Sequence, residues 1–164
     1  MQERGHSLVQ TLVVTGIVAI LLALATPRFG AWATRYRCEA QTRLIYTELL
    51  KSRANALFQR RETRMKFYAE RFEVYSSATD GSGVAPLARL ALRYPIDLNG
   101  TGSNVDFDVK GMALNLRSIC IAGREDTGPV DSVVIGHTRV SLGKKNIQKR
   151  DDKWDCEAPN ITIR

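Results

Sequence analysis

Side chains able to carry out chemistry are few and widely spaced in this sequence. The cysteines are Cys38, Cys120 and Cys156, and the two histidines, His6 and His137, stand apart from them and from each other. No two cysteines have the C-x-x-C spacing of a zinc site, and the G-x-S-x-G, H-E-x-x-H and P-loop motifs do not occur. We therefore predict no metal, no cofactor and no enzymatic activity.

The cysteines point instead to a disulfide. Cys38 falls on a predicted helix, whereas Cys120 and Cys156 lie in the loop-rich C-terminal part. In an oxidising compartment, a Cys120–Cys156 bridge would tie the C-terminal tail to the sheet. Closing a loop of that length contributes about 4 kcal/mol on the chain-entropy view. The sequence also permits the two other pairings.

A long apolar segment follows a short polar leader at the N-terminus. Residues 8–25 are interrupted only by Gln10, Thr11, Thr15 and Gly16. As a helix, they would span roughly 27 Å, close to the hydrocarbon thickness of a bilayer. In an ordinary signal peptide, a small-residue cleavage site follows the apolar core, so that the core is removed. Here the obvious site lies in front of it, after Gly5, so that the helix stays on the mature protein. The alternative is a plain membrane anchor.

Helical periodicity returns after Pro27, which we expect to break or soften the helix. The apolar residues Tyr46, Leu49, Leu50, Ala54 and Leu57 recur at steps of three and four, and no Gly or Pro interrupts residues 31–62. We predict that this stripe packs on a sheet. The alternative for the same stripe is a coiled-coil partner face.

From residue 63 onward, short alternating runs are typical of strands. Strands are predicted at 63–68, 71–75, 89–94 and 160–163, a strand or hairpin at 132–142, and a hairpin formed by 105–109 and 113–122. Helix first and antiparallel sheet second indicates an α+β fold, in which a long N-terminal helix packs on one face of a small antiparallel β-sheet head. The predicted parts are a leader (1–5), a transmembrane assembly helix (6–29), an amphipathic helix (30–62) and a β-rich head (63–164).

Three features together carry a family resemblance. They are the leader ending at Gly5 with Ser7-Leu8-Val9 and Pro27 behind it, the helix segment Leu49-Leu50-Lys51-Ser52-Arg53-Ala54-Asn55-Ala56, and the order of the strands after residue 105. In these the chain resembles type IV minor pilins and type II secretion pseudopilins of the GspH/FimT (FimU-like) family. The resemblance implies that a prepilin peptidase cuts after Gly5 and that His6 becomes the new, N-methylated terminus.

The resemblance also implies a location and partners. The chain would wait in the bacterial inner membrane with its head in the periplasm, and then prime or decorate a type IV pilus or a secretion pseudopilus. Its partners would be other pilins or pseudopilins, the inner-membrane assembly platform and the membrane itself. The arginines that follow the apolar segment (Arg28, Arg35 and Arg37) outnumber Arg4 before it, so the positive-inside rule favours the opposite orientation.

Two residues depart from the family pattern at positions important for assembly. The family usually has glutamate at the fifth mature position, where it is thought to neutralise the α-amine of a neighbouring subunit, and this chain has Gln10. The first mature residue is usually phenylalanine or methionine, and here it is His6. A neutral Gln10 fits a subunit of the tip or of low copy number, while the alternative is a polar residue facing a helix contact. Pro27 keeps its family position.

Positive charge suggests a polyanionic partner. The net charge is +7 and the isoelectric point is about 9.6. One basic cluster follows the helix (Arg60, Arg61, Arg64, Lys66, Arg71), and another occupies the tail (Arg139, Lys144, Lys145, Lys149, Arg150). FimT-like proteins are associated with DNA uptake through a G-R-x-R pattern, of which only Arg139 is present. The tail cluster is therefore a candidate site for sequence-independent, salt-sensitive binding of double-stranded DNA. The alternative is a solvated or subunit-facing surface.

Overall fold

The computed structural model describes residues 7–78, 83–99, 102–123, 127–146 and 156–164. Within them, the chain begins with one long helix, α1 (Leu8–Gln59), and divides into two compact units, Met1–Thr34 and Arg35–Arg164. The helix is continuous through position 27, so the expected break there is wrong. Proline removes a single backbone hydrogen bond, and the turns on both sides keep theirs.

The described part of the second unit contains two antiparallel sheets. In chain order the strands are β1 (Thr63–Tyr68), β2 (Arg71–Tyr75), β3 (Ala88–Ala91), β4 (Ile96–Leu98), β5 (Asn104–Phe107), β6 (Arg117–Ile121), β7 (Ser132–Ile135), β8 (Val140–Lys145) and β9 (Ile161–Ile163). Sheet A has the order β3-β2-β1-β5, and sheet B has the order β4-β6-β7-β8-β9. The α+β class is as predicted, but the β domain is built from two sheets rather than one.

The predicted hairpin between residues 105–109 and 113–122 forms only beside its turn, where the amides of Asp108 and Leu114 donate to the carbonyls of Met112 and Asp106, each at 2.9 Å. Strand β5 belongs to sheet A and β6 to sheet B, and a lone bridge between Phe107 and Ala113 is the trace of that hairpin. The turn itself forms, because the Asp108 carboxylate accepts hydrogen bonds from the amides of Lys110 and Met112 at 2.9 and 2.6 Å. Beyond it, the chain crosses to the second sheet instead of returning along the first.

The second half of α1 supplies one wall of the core. The helix buries residues at alternating steps of four and three, with Gln41 buried beside them: Cys38, Thr42, Ile45, Leu49, Ser52 and Ala56. Leu49 is buried as predicted, but Leu57 is 46% exposed. The predicted stripe was displaced because two core positions hold hydroxyl residues. Thr42 donates to the Cys38 carbonyl at 3.0 Å, and Ser52 donates to the Thr63 hydroxyl at 3.1 Å, so both are buried with their hydrogen bonds made.

A glycine in mid-strand lets the last strand close on sheet B. Gly143 pairs with Ser132 on one side and with Ile163 on the other. A Cβ at this position would collide with the Ile161 side chain and would lie 3.1 Å from the Thr162 carbonyl oxygen. Only glycine therefore lets β9 approach β8 this closely.

Candidate assembly site

The first half of α1 is apolar on every face and covered by nothing in the described structure. Every Leu, Ile and Val side chain from Leu8 to Leu22 is between 47% and 80% exposed. A helix that is hydrophobic all round is ordinarily buried, in a protein core or in lipid. This segment therefore requires an apolar cover from outside the chain.

The Thr15 hydroxyl group of this segment makes its hydrogen bonds within the helix itself. Thr15 Oγ1 donates to the carbonyl oxygens of Thr11 at 3.0 Å and Leu12 at 2.9 Å. Such back-bonding hides the polar group against the helix and leaves the methyl group outside. Thr15 is thus compatible with an apolar environment that offers no water.

Gln10 differs from Thr15 because its side-chain amide has no hydrogen bond to any residue that the structure describes. It lies beside Thr11, Val14 and Thr15 along a shallow groove of the helix surface. A side-chain amide offers two N–H donors and a carbonyl acceptor. In an apolar setting, these groups need a partner from another molecule.

Small side chains form a row along the same helix that the sequence analysis did not notice. Ser7, Thr11, Thr15, Ala19 and Ala23 recur at every fourth position, and all are exposed. A row with this spacing lets a second helix approach closely in an apolar medium. The signal was present in the sequence, but large apolar residues dominate a hydropathy count and conceal it.

Several residues predicted to have a function lie outside the described residues. These are Gly5 and His6 of the processing site and Lys149 and Arg150 of the tail. The backbone at Pro27 is helical.

Within the described ranges, no helix combines the length and hydropathy expected of a membrane span. No group of three or more His, Cys, Asp or Glu side chains that could hold a metal ion occurs in those ranges either.

Cys120 and Cys156 form a disulfide, with their Cα atoms 5.8 Å apart. Cys38 is buried on α1 and takes no part in it. The bridge joins β6 to the segment just before the 3-10 helix Ala158–Asn160. Around it, Ile161 and the half-buried Val134 form a small second core on sheet B.

The tail residues predicted to contact DNA separate into two kinds. Arg139 is exposed in the turn before β8. Lys144 is turned inward, with Nζ 2.7 Å from Thr127 Oγ1 and 3.0 Å from Asp131 Oδ2. Lys145 is 5% exposed, and its Nζ donates to the Ile121 carbonyl at 3.1 Å. A phosphate contact by either lysine would have to break one of these internal contacts.

Asp131 is the centre to which these lysines are attached. It accepts hydrogen bonds from the hydroxyls of Thr127 and Ser132 and from the Lys145 amide, besides the Lys144 ion pair. Burial alone would raise the pKa of this carboxyl, but the hydrogen bonds outweigh burial and hold the pKa below its ordinary value of 3.8. Burial also lowers the pKa of Lys145, against the opposing effect of Asp131 and Asp97. The cluster therefore fastens β7 to β8.

We expect the Asp131 cluster to make stability depend on acid pH. Because the pKa of Asp131 is lower in the folded state, its contribution is complete above the unfolded value of 3.8 and is lost as the pH falls through the folded value. At pH 7, Asp131→Ala should cost about 2 kcal/mol of unfolding free energy. Urea unfolding of the full chain in neutral detergent should show this difference shrinking below pH 4. A difference that stays constant from pH 7 to pH 3 would contradict the assignment.

Two crystal structures of the type IV minor pilin FimU from Pseudomonas aeruginosa PAO1 are similar to this chain. The first has a TM-score of 0.55 and 17% sequence identity, over 68% of this chain and 91% of the FimU chain. The second has a TM-score of 0.52 and 18% identity, over 63% of this chain and 90% of the FimU chain. No family model and no curated protein matches the sequence. The long helix packed on antiparallel sheets is thus the fold of a type IV minor pilin.

Proposed function

We propose that this chain is a minor pilin subunit, which is held in the inner membrane by the first half of α1 and then drawn into a filament through the same helix. The exposed apolar surface from Leu8 to Leu22 carries this proposal. Before assembly, lipid would cover that surface, and after assembly, the helices of neighbouring subunits would cover it. The fold shared with the type IV minor pilin FimU supports the role of a pilin subunit.

Maturation by removal of the leader fits this role. Cleavage after Gly5 places His6 at the new terminus, immediately before the start of α1 at Leu8. The apolar helix is then the first element of the mature chain, and its end is accessible to a neighbouring subunit. Methylation of the His6 amine is part of the same proposal.

Gln10 indicates which kind of filament subunit we propose this chain to be. Its amide finds no partner in the described part of its own chain, so a neighbouring helix or terminus supplies one on assembly. A carboxylate would pair with a neighbouring α-amine, whereas a neutral amide can accept a hydrogen bond from it without compensating its charge. A subunit that stabilises each contact with its neighbour less is better suited to priming or decorating a filament than to forming most of it.

Mass spectrometry of the assembled protein tests the maturation step. We expect filament fractions to contain a chain that begins at His6, because cleavage after Gly5 removes the leader and keeps the helix. The variant Gly5→Asp should leave the leader in place and remove the protein from sheared filaments. As a matched control, Gly30→Asp lies beyond the apolar segment, where a side chain meets no other atom within 4 Å, and it should still be cut after Gly5. Recovery of filament subunits that still carry Met1 would contradict the proposal.

A further inference from the structure

Two arginines from neighbouring strands converge on a single buried carboxylate at the outer face of sheet A. Glu73 of β2 is 5% exposed. Its Oε1 lies 3.5 Å from Arg71 Nε and 3.3 Å from Arg89 Nε. Its Oε2 accepts a hydrogen bond from the Tyr75 hydroxyl at 2.8 Å. Both guanidinium groups are therefore held near one point, although Arg71 and Arg89 are far apart in sequence.

Burial of the acids makes this face positive toward solvent. The side chains of Arg71 and Arg89 are 55% and 69% exposed, whereas that of Glu73 is 6% exposed. The other acid of this face, Asp106, is likewise buried and is held by Arg64 at 2.7 Å. The Glu73 carboxylate thus lies next to the Nε atoms of Arg71 and Arg89, whose side chains remain more than half exposed. A guanidinium has five donors, more than one ion pair occupies.

Further groups extend the patch across the strands. Lys66 of β1 lies directly across from Glu73 in register, and Arg89 of β3 lies across from Glu73 on the other side. Positive charge therefore covers three adjacent strands, a width of about 10 Å. The Arg71 guanidinium also stacks on the Tyr68 ring, 4.4 Å from its centroid. That stack leaves one planar face of the guanidinium open to another flat group.

From this geometry we propose that the outer face of sheet A binds a nucleic-acid strand, with Arg71 and Arg89 holding its phosphates. Paired, partly exposed guanidinium groups are suited to phosphate oxygens. The Tyr68–Arg71 stack adds a planar platform on which a base can lie. An acidic protein would use the arginines equally well but would gain nothing from the platform, so the face favours nucleic acid. This site is separate from the tail residues and goes beyond assembly of a filament.

Fluorescence anisotropy with the full chain in neutral detergent tests the site. The probes are labelled single-stranded and double-stranded DNA of twenty nucleotides or base pairs, at 50 and 200 mM salt. We expect Arg71→Gln with Arg89→Gln to raise Kd about tenfold or more at low salt. The slope of log K against log salt should fall by about 1.8 with the duplex and about 1.4 with the single strand. If the stacking platform contributes, single-stranded DNA binds more tightly than the duplex and Tyr68→Leu removes that difference. If Tyr68→Leu changes the Kd of both probes equally, the phosphate contacts stand but the stacking platform is wrong.

A matched pair of charge changes elsewhere separates the site from net charge. Lys110→Gln with Arg164→Gln removes the same two charges from other exposed positions and should change Kd by less than about threefold. Loss of binding in this control, with none in Arg71→Gln/Arg89→Gln, would overturn the proposal. Competition by polyglutamate at equal charge concentration would overturn nucleic acid as the ligand.

Glu73 provides a test in the opposite direction. The double arginine variant leaves Glu73 without its two ion pairs, and a folding defect could imitate lost binding. Adding Glu73→Gln removes that buried charge, and this triple variant should lose binding to the same extent while keeping the wild-type circular dichroism. Glu73→Gln alone frees both arginines and should lower Kd about threefold. If the cluster were purely structural, Glu73→Gln alone would weaken binding or leave Kd unchanged.

Discussion

Replacing Ile17 by lysine is expected to remove the protein from the filament and membrane fractions. Ile17 lies midway along the apolar half of α1 and is 54% exposed. Whatever covers this position, lipid or the helices of other subunits, is apolar, and a lysine at the centre of such a helix costs about 3 kcal/mol. That cost corresponds to roughly a hundredfold fall in the partition of the chain into the covered state. Immunoblotting of sheared filaments and of membrane pellets measures it.

Two companion variants show whether position or charge causes the loss. Ile17→Leu preserves the apolar surface and should assemble like the wild type. Leu87→Lys introduces the same charge at an apolar side chain of the head that is 67% exposed, and it should also assemble. If Ile17→Lys entered filaments as well as Leu87→Lys does, the apolar half of α1 would not be an assembly surface. If both lysine variants failed, the head itself would be an apolar contact.

Local pattern predicted the helix and most strands, because each depends on the periodicity of its own residues. The two strands after α1 were predicted with the observed bounds, Thr63–Tyr68 and Arg71–Tyr75. The core face of α1 could not be predicted fully from the apolar pattern, because Thr42 and Ser52 are polar residues that occupy buried core positions. Their hydroxyl groups bond to a carbonyl and to Thr63, and that partner is known only once the strand is in place.

Long-range pairing explains what pattern missed. Residues 105–109 and 113–122 alternate as the two arms of a hairpin do, yet the distribution of strands between two sheets depends on which partners complete each sheet. The Arg71–Glu73–Arg89 cluster was missed for the same reason. Arg71 was counted with the basic residues after the helix, whereas Arg89 reaches it only through the pairing of β2 with β3. Charge in the sequence locates cations, and the register of the sheet decides which of them converge.

The inward direction of Lys144 and Lys145 was likewise hidden from the sequence. Lys144 and Lys145 belong to a basic tail whose composition is typical of a solvated surface, and Asp131 lies many residues earlier. The antiparallel pairing of β7 with β8 brings Asp131 beside them, where the Lys145 amide donates to Asp131 Oδ1 at 2.7 Å. The tail therefore contributes to the stability of sheet B, and its positive charge is partly internal.

Loss of the Cys120–Cys156 disulfide is the second change from which we expect a large effect. The bridge closes a loop with a sequence separation of 36, and removing it should lower the unfolding free energy by about 4 kcal/mol. The effect should concentrate on β9, an edge strand of three residues that is otherwise held by its pairing with β8 and by packing of Ile161. Urea unfolding of the full chain in detergent, with Cys120→Ser and Cys156→Ser together, measures the loss.

Reductant makes the same test without a substitution and identifies the pair. Dithiothreitol should destabilise the wild type by about the same 4 kcal/mol and leave the double serine variant unchanged. Cys38→Ala serves as the matched control, because Cys38 is buried on α1 but outside the bridge. That variant should lose a little stability from its smaller side chain and should keep the full response to reductant. If Cys38→Ala instead abolished the response, Cys38 would be a member of the disulfide, and the C-terminal strand would be held to sheet B by main-chain hydrogen bonds and packing alone.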